Sequence, residues 1–184
     1  YVASMLITYD PKGELNVTPT PAVESAEISK ATCPEDGSDE QILMKTRPYS
    51  GIIGSLMYAA VAARPDISKI VSILSRYVRN PGENHWRAAL RVLAYLKGTP
   101  ALGPTFTASG ERKVENIELI GYADASFAED WKDGDGFSTT GYIIYLCGGP
   151  VLWGSHKQVT PALSTAEAEY QSLTACAREV IWLR

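Results

Sequence analysis

Cysteine and histidine are scarce in this chain. Cys33, Cys147 and Cys176 are far apart and odd in number, which leaves neither a disulfide framework nor a cysteine-rich zinc motif, and makes a reducing compartment the default. His85 and His156 have no cysteine or carboxylate at ligand spacing and read as ordinary residues. No apolar run approaches the roughly 20 residues that a membrane span needs, so no membrane partner is expected. The opening YVASMLITYD has neither a basic start followed by an apolar core nor a cleavage site, which excludes a secretory signal there. An initiator methionine is also missing, and the chain reads as cut out of something longer.

What is present fits one or two globular domains: 184 residues, 45% hydrophobic and 21% charged. The net charge of −4 conceals an uneven distribution. Residues 1–44 carry 2 basic and 8 acidic side chains, residues 45–100 carry 9 and 2, and residues 101–184 carry 6 and 11. A basic middle between acidic flanks is the asymmetry expected of a chain with a polyanion partner.

Residues 10–41 are rich in Pro, Glu, Ser, Asp and Gly and read as a linker or loosely packed arm, so residues 1–44 are expected to be a short remnant plus a flexible acidic linker. From Tyr49 the pattern turns helical. YSGIIGSLMYAAVAA is apolar nearly all round and predicts a buried helix. Pro65 and Asp66 restart the chain into a second helix with Ile67, Ile70, Val71, Leu74, Tyr77 and Val78 inward and Lys69, Ser72, Arg76 and Arg79 on another face. A third, from Glu83 to about Lys97, is expected to bury Trp86, Leu90, Leu93 and Leu96 and to show Arg87 and Arg91 one turn apart outside. The cationic faces admit two readings, a solvated helix surface or a surface for a polyanion. Beyond Gly110 come three strand candidates, NIELIGYADASF, FSTTGYIIYLCGG and PVLWGSH, the last two split by a turn at Gly148–Pro150, and then a helix from about Ser164. The pattern of the last third is β-β-β-α.

That helix opens with two glutamates two residues apart, which point in different directions. Ser164 and Glu167 form S-x-x-E, a capping box, which is sufficient explanation for Glu167. Glu169 shares its side with Leu173, Cys176 and Val180, the side expected to face the sheet, where a carboxylate is costly unless paired or bound to a cation. In LIGYADAS, Asp124 ends a run of strand formers on the face of Ile120 and Tyr122. It either starts a turn, as aspartate often does, or meets Glu169 across the sheet to offer oxygen ligands to a hard divalent cation.

The segment ARPDISKIVSILSRYVRNPGENHWRAALRVLAYLKGT resembles the connection between reverse transcriptase and ribonuclease H in copia-type LTR retrotransposon polyproteins. LIGYADASFAED, STTGYIIYLCGGPVLWGSHKQ and ALSTAEAEYQSLTACAREVIWLR resemble the first half of that family's ribonuclease H domain, and the opening residues resemble the tail of its polymerase region. The resemblance runs from about Arg47 to Arg184. It implies an α/β fold, α+β within these residues: a basic helical connection over 45–100, then a partial ribonuclease H-like sheet and helix over 101–184.

By motif, the resemblance makes Asp124 the first and Glu169 the second of four carboxylates that hold two magnesium ions, with manganese as the alternative metal, for cutting the RNA strand of an RNA–DNA hybrid. Glu167 is then the cap and Asp130 peripheral. Lys69, Arg76, Arg79, Arg87 and Arg91 are expected to hold the hybrid, with Lys157 and Gln158 as weaker strand-end candidates on an exposed turn. The family's third and fourth carboxylates, and two strands that pair beside the first, lie beyond the helix that reaches Arg184. The expectation is therefore weak metal binding, little hydrolysis by these residues alone, dependence on other polyprotein segments, and self-association through the exposed edge of the Asp124 strand. The resemblance also implies replication particles in the cytoplasm, with later nuclear entry. The competing expectation is a non-catalytic nucleic-acid-binding or interaction module derived from a transposon.

Overall fold

The computed structural model describes residues 1–23, 27–106, 118–128 and 136–184. Six α-helices and three strands follow one another in these residues: α1 Val2–Tyr9, α2 Asp39–Thr46, α3 Tyr49–Ala62, α4 Ser68–Ser75, α5 Glu83–Gly98, β1 Leu119–Ser126, β2 Thr139–Leu146, β3 Gly149–Lys157 and α6 Thr165–Leu183. The fold is mixed helix and antiparallel sheet. It divides into two compact units, Tyr1–Leu102 and Gly103–Arg184. None of the described helices is long and apolar enough to cross a membrane.

The first unit is built around the apolar faces of α3, α4 and α5. Ile52, Leu56, Ile67, Leu74, Val92, Leu93 and Leu96 are all buried in one cluster. The inward set of α4 matches its helical spacing, apart from Val78, which lies past the helix end and is exposed. In α5 the inward face is rotated from the expected one. His85, Ala88, Ala89 and Val92 are buried along with the expected Leu93 and Leu96, whereas Trp86 and Leu90 only pack against the margin of the core. Trp86 is held there by the Arg47 guanidinium, 5.1 Å above its ring. α3 is not buried all round: Met57, Tyr58 and Val61 are exposed, Val61 at 74%. Those residues recur at i, i+1 and i+4, a second apolar stripe facing away from the core.

Residues of the acidic N-terminal stretch are tied into this unit. Met5 of α1 joins the core, and Lys97 Nζ donates to Asp10 Oδ2 at 2.9 Å, Gly13 O at 2.9 Å and Leu15 O at 2.8 Å. Ser38 caps α2 by accepting from Gln41 N. Polar composition therefore coexists with a defined path here, because the anchors are distant side chains rather than local apolar burial.

In the second unit, β1 pairs antiparallel with β2, and β2 with β3, in the order β1-β2-β3. The β2–β3 turn lies one residue earlier than the Gly-Gly-Pro expectation, at Cys147 and Gly148, with φ of 52° and 83°. Two successive positive φ values define the type I′ turn that matches strand twist, and Gly149 is already in β3. α6 packs on β1 and β2.

Candidate functional site

The geometry around Asp124 follows from how α6 meets the sheet. Gly121 faces α6 so closely that a Cβ there would lie 2.7 Å from Cys176 Sγ. Thr140 faces α6 as well, its Oγ1 3.1 Å from Ser172 Oγ. Thr140 pairs with Ala125 in the β1–β2 ladder, so Ala125 shares that side. Alternation then places Asp124 on the opposite side of the sheet, with Ile120 and Tyr122, as its spacing predicts. Asp124 is exposed.

Glu169 departs from expectation. The stripe of α6 turned to the sheet is Ala168, Ser172 and Cys176, all buried, whereas Glu169 and Leu173 are exposed. The phase is set by hydrogen bonds. Gln158 Nε2 donates to Ala168 O at 3.0 Å and to Thr140 Oγ1 at 3.2 Å, and Ser172 meets Thr140 beside it. Small and hydroxylated side chains thus occupy the interface that hydropathy assigned to Leu173. Asp124 and Glu169 do not meet through a desolvated helix–sheet interface, and neither carboxylate has a hydrogen bond or ion pair with a described residue. Among the described residues no three His, Cys, Asp or Glu side chains group together as a metal cluster. Two solvent-open carboxylates fall short of the near-octahedral set that magnesium demands, so these residues do not by themselves build a metal site. Asp130 lies outside the described residues.

Ser164 caps α6, accepting from Glu167 N at 3.1 Å. Glu167 reaches back one residue further than a standard capping box, its Oε2 accepting from Leu163 N at 2.8 Å. Gln158 is not on an exposed turn but 5% exposed, both its donors engaged within the unit, which withdraws it from any strand-end contact. Lys157 Nζ stands 4.6 Å over the Phe137 ring. A groove of about 370 Å³ runs between α6 and the end of β3, walled by Thr140, His156, Glu167, Tyr170 and Arg178. Burial raises the Cys176 thiol above its ordinary range, with Glu179 adding to the effect, and burial likewise raises the Tyr142 hydroxyl. Cys176 is thus a buried packing residue. The Gln158–Thr140–Ser172 network escaped the sequence reading. Gly121, a glycine inside a strand, was the one visible signal of a close approach at that spot.

The cations of the first unit differ in burial and in their partners. Arg64, with a side chain 3% exposed, gives its donors to Asp66, Thr99 O and Thr99 Oγ1. Arg47 and Arg87 both pair with Glu83, and Lys97 is taken by the N-terminal stretch. Of the five helix cations singled out by spacing, Lys69, Arg79 and Arg87 are exposed and Arg76 and Arg91 are half-buried. Arg91 donates to Thr20 Oγ1 at 3.0 Å, and with Arg87 it lines a groove of about 480 Å³ floored by Ile70 and Ala88.

Known proteins similar to this chain contain the same segment. The "Retrovirus-related Pol polyprotein from transposon TNT 1-94" of Nicotiana tabacum is 38% identical over all 184 residues, which make up 13% of that polyprotein. The corresponding polyprotein from transposon RE2 of Arabidopsis thaliana is 42% identical over 73% of this chain and 9% of its own length. The "Secreted RxLR effector protein 161" of Plasmopara viticola is 42% identical over 76% of this chain, and the match covers 94% of that protein. The chain corresponds to a segment of copia-type retrotransposon Pol polyproteins. It spans only a small part of the Pol polyproteins, yet nearly all of the Plasmopara protein. No family model matches the chain, and no solved structure does.

Proposed function

We propose that this Pol segment supplies the helical connection (residues 45–100) and the first β-β-β-α of a ribonuclease H domain (residues 101–184), and that the parent polyprotein hydrolyses the RNA strand of RNA–DNA hybrids. The observation that carries the reading is the antiparallel β1-β2-β3 sheet with α6 packed on β1 and β2, bearing Asp124 near the end of β1 and Glu169 in the opening turns of α6. Magnesium or manganese would supply the activated water and stabilise the leaving oxygen when bound. Asp124 and Glu169 would be two of its ligands, and coordination would be completed by carboxylates other than the described ones. The exposed cations Lys69 and Arg79, and Arg87 alongside its ion pair with Glu83, would neutralise phosphates along the hybrid. The parent would then act in cytoplasmic replication particles and later in the nucleus.

The test is cleavage of a labelled RNA–DNA hybrid in magnesium by this chain and by a Pol polypeptide that extends beyond it. The expected result is cleavage by the longer polypeptide only, abolished by Asp124→Asn or Glu169→Gln. Cleavage by the 184 residues unaided overturns the claim that further carboxylates are needed.

A second reading is favoured by one observation, the near-complete coverage of the Plasmopara protein, in which this segment is almost the whole molecule. On that reading the chain is a non-catalytic nucleic-acid-binding or interaction module. Hybrid binding that weakens steeply with salt, loses slope when Lys69, Arg79 and Arg87 become alanine, and survives both carboxylate substitutions favours it.

A further inference from the structure

A cavity of about 170 Å³ lies in the first unit where the end of α2, the start of α3 and the turn after α4 meet. It is smaller than the roughly 300 Å³ at which sites for drug-sized ligands begin, so it can enclose a single small group. Its walls carry three cations, Lys45, Arg47 and Arg79, and among the described residues no carboxylate lines it. Lys45 and Arg79 are exposed, and neither forms an ion pair with a described residue. Arg47 gives Nη1 to Glu83 and to Met44 Sδ, and its other guanidinium nitrogens form no hydrogen bond with a described residue. The neutral part of the wall is fixed in place. Gln41 Nε2 donates to Asn80 Oδ1 at 3.2 Å and to Asp36 Oδ1 at 3.0 Å, and Asn80 Nδ2 donates to Pro34 O at 2.9 Å. A lysine in the last turn of α2 complements the carbonyl end of that helix, which accounts for Lys45 alone. Arg79 lies past the end of α4 and has no such role. Tyr49 and Ser50, also in the wall, open α3, whose first turn has neither an acid nor a side-chain cap, so its positive end adds to the field of the three cations.

We propose that this cavity binds the terminal phosphate of a nucleic-acid strand. Charge decides between the anions that would fit. Three cations less the Glu83 carboxylate paired with Arg47 leave a formal charge of +2. A phosphate monoester carries about −1.5 to −2 at neutral pH and offers three acceptor oxygens, which matches that charge. A backbone phosphodiester or a carboxylate carries a single charge and leaves the cavity half neutralised. Arginine supplies a planar fork for phosphate oxygens and lysine a compact point charge, and both kinds of donor are present. The carrier follows from the surrounding segment. Residues 45–100 hold 9 basic and 2 acidic side chains, an asymmetry suited to the rest of a polyanion beyond its end. The proposal deepens the reading of this segment as a surface for the hybrid and rests on that reading for the carrier.

The experiment is fluorescence anisotropy of a short labelled RNA–DNA hybrid titrated with the whole chain, the hybrid bearing phosphate on its 5′ ends, on its 3′ ends or on neither. A terminal phosphate at one of the two ends is expected to tighten binding about tenfold, the effect of one or two charge-assisted hydrogen bonds. The gain should vanish in Lys45→Gln/Arg79→Gln, whose fold is checked by circular dichroism. It should persist in Lys12→Gln/Lys30→Gln, which removes the same charge from exposed positions outside the cavity. Equal affinity for all three hybrids, a gain that survives the cavity substitutions, or a gain lost equally in the control pair overturns the proposal and leaves the hybrid reading standing. A chain that binds none of the hybrids overturns both. A phosphoserine peptide that binds more tightly than the phosphate-ended hybrid overturns the carrier.

Discussion

Arg64 is the most deeply buried cation described, and its surroundings show what holds it. Its guanidinium meets the Asp66 carboxylate at 2.7 Å, lies 5.3 Å from the Tyr95 ring, and closes on the last turn of α5 through Thr99. Burial alone would raise the Asp66 carboxyl, but hydrogen bonds from Arg64 and Tyr95 outweigh it and hold the group below the ordinary carboxylate range. Removing the carboxylate leaves a buried charge short of its partner, a change that ordinarily costs several kcal/mol. Asp66→Ala is therefore expected to lower the unfolding free energy by about 3 kcal/mol, read from the urea midpoint. Arg79→Ala, at an exposed position, should move it by less than about 0.5 kcal/mol. The same cluster corrects a residue-level reading: a basic middle segment with few acids in sequence still finds partners, since Arg47, Arg64, Arg87 and Lys97 are all paired.

At the scale of elements, the sequence was most legible where a single period ran uninterrupted. The i, i+3, i+4 spacing of α4 returns its buried set, and the S-x-x-E signature marks the start of α6. It was least legible in the phase of α6. Hydropathy ranks Leu173 above Ser172 for the interior, yet Ser172 is wholly buried and Leu173 is 56% exposed. Ser172 is satisfied by Thr140, a partner 32 residues away that no local pattern discloses. The face of Asp124, by contrast, followed directly from strand alternation. Two outcomes check this picture of α6. Ser164→Ala should cost about 1 kcal/mol through the lost cap, measured by thermal unfolding. Gly121→Ala should cost about 1–3 kcal/mol, because the added carbon lands on Cys176 and must push α6 off β1. The second change should also raise the reactivity of Cys176 toward a thiol reagent.

At the scale of the whole molecule, the acid-sensitive groups are unevenly shared. Asp66 and Glu83 are buried enough for desolvation to raise them, yet the guanidiniums of Arg64, and of Arg47 and Arg87, bring both below the ordinary carboxylate range. Asp10 is lowered too, chiefly by its hydrogen bond from Lys97. All three belong to the Tyr1–Leu102 unit. A depressed carboxyl contributes stability that is present above its unfolded pKa of roughly 4 and is lost as pH falls through the folded value. Calorimetry from pH 6 down to about 2 should therefore lower the melting of this unit first, followed by the near-ultraviolet signal of Trp86. If both units shift together, the ion pairs of the first are not the acid-labile element.

The hold of Lys97 on Asp10, Gly13 and Leu15 spans more than eighty residues of chain. During synthesis this sets an order opposite to that of translation. Asp10, Gly13 and Leu15 are made well before Lys97 and lack this anchor until the end of α5 has emerged, so they wait while α3, α4 and α5 collapse on one another. Within this segment they are among the last residues to be placed, and a protease or chaperone meets them exposed for as long as α5 remains unmade.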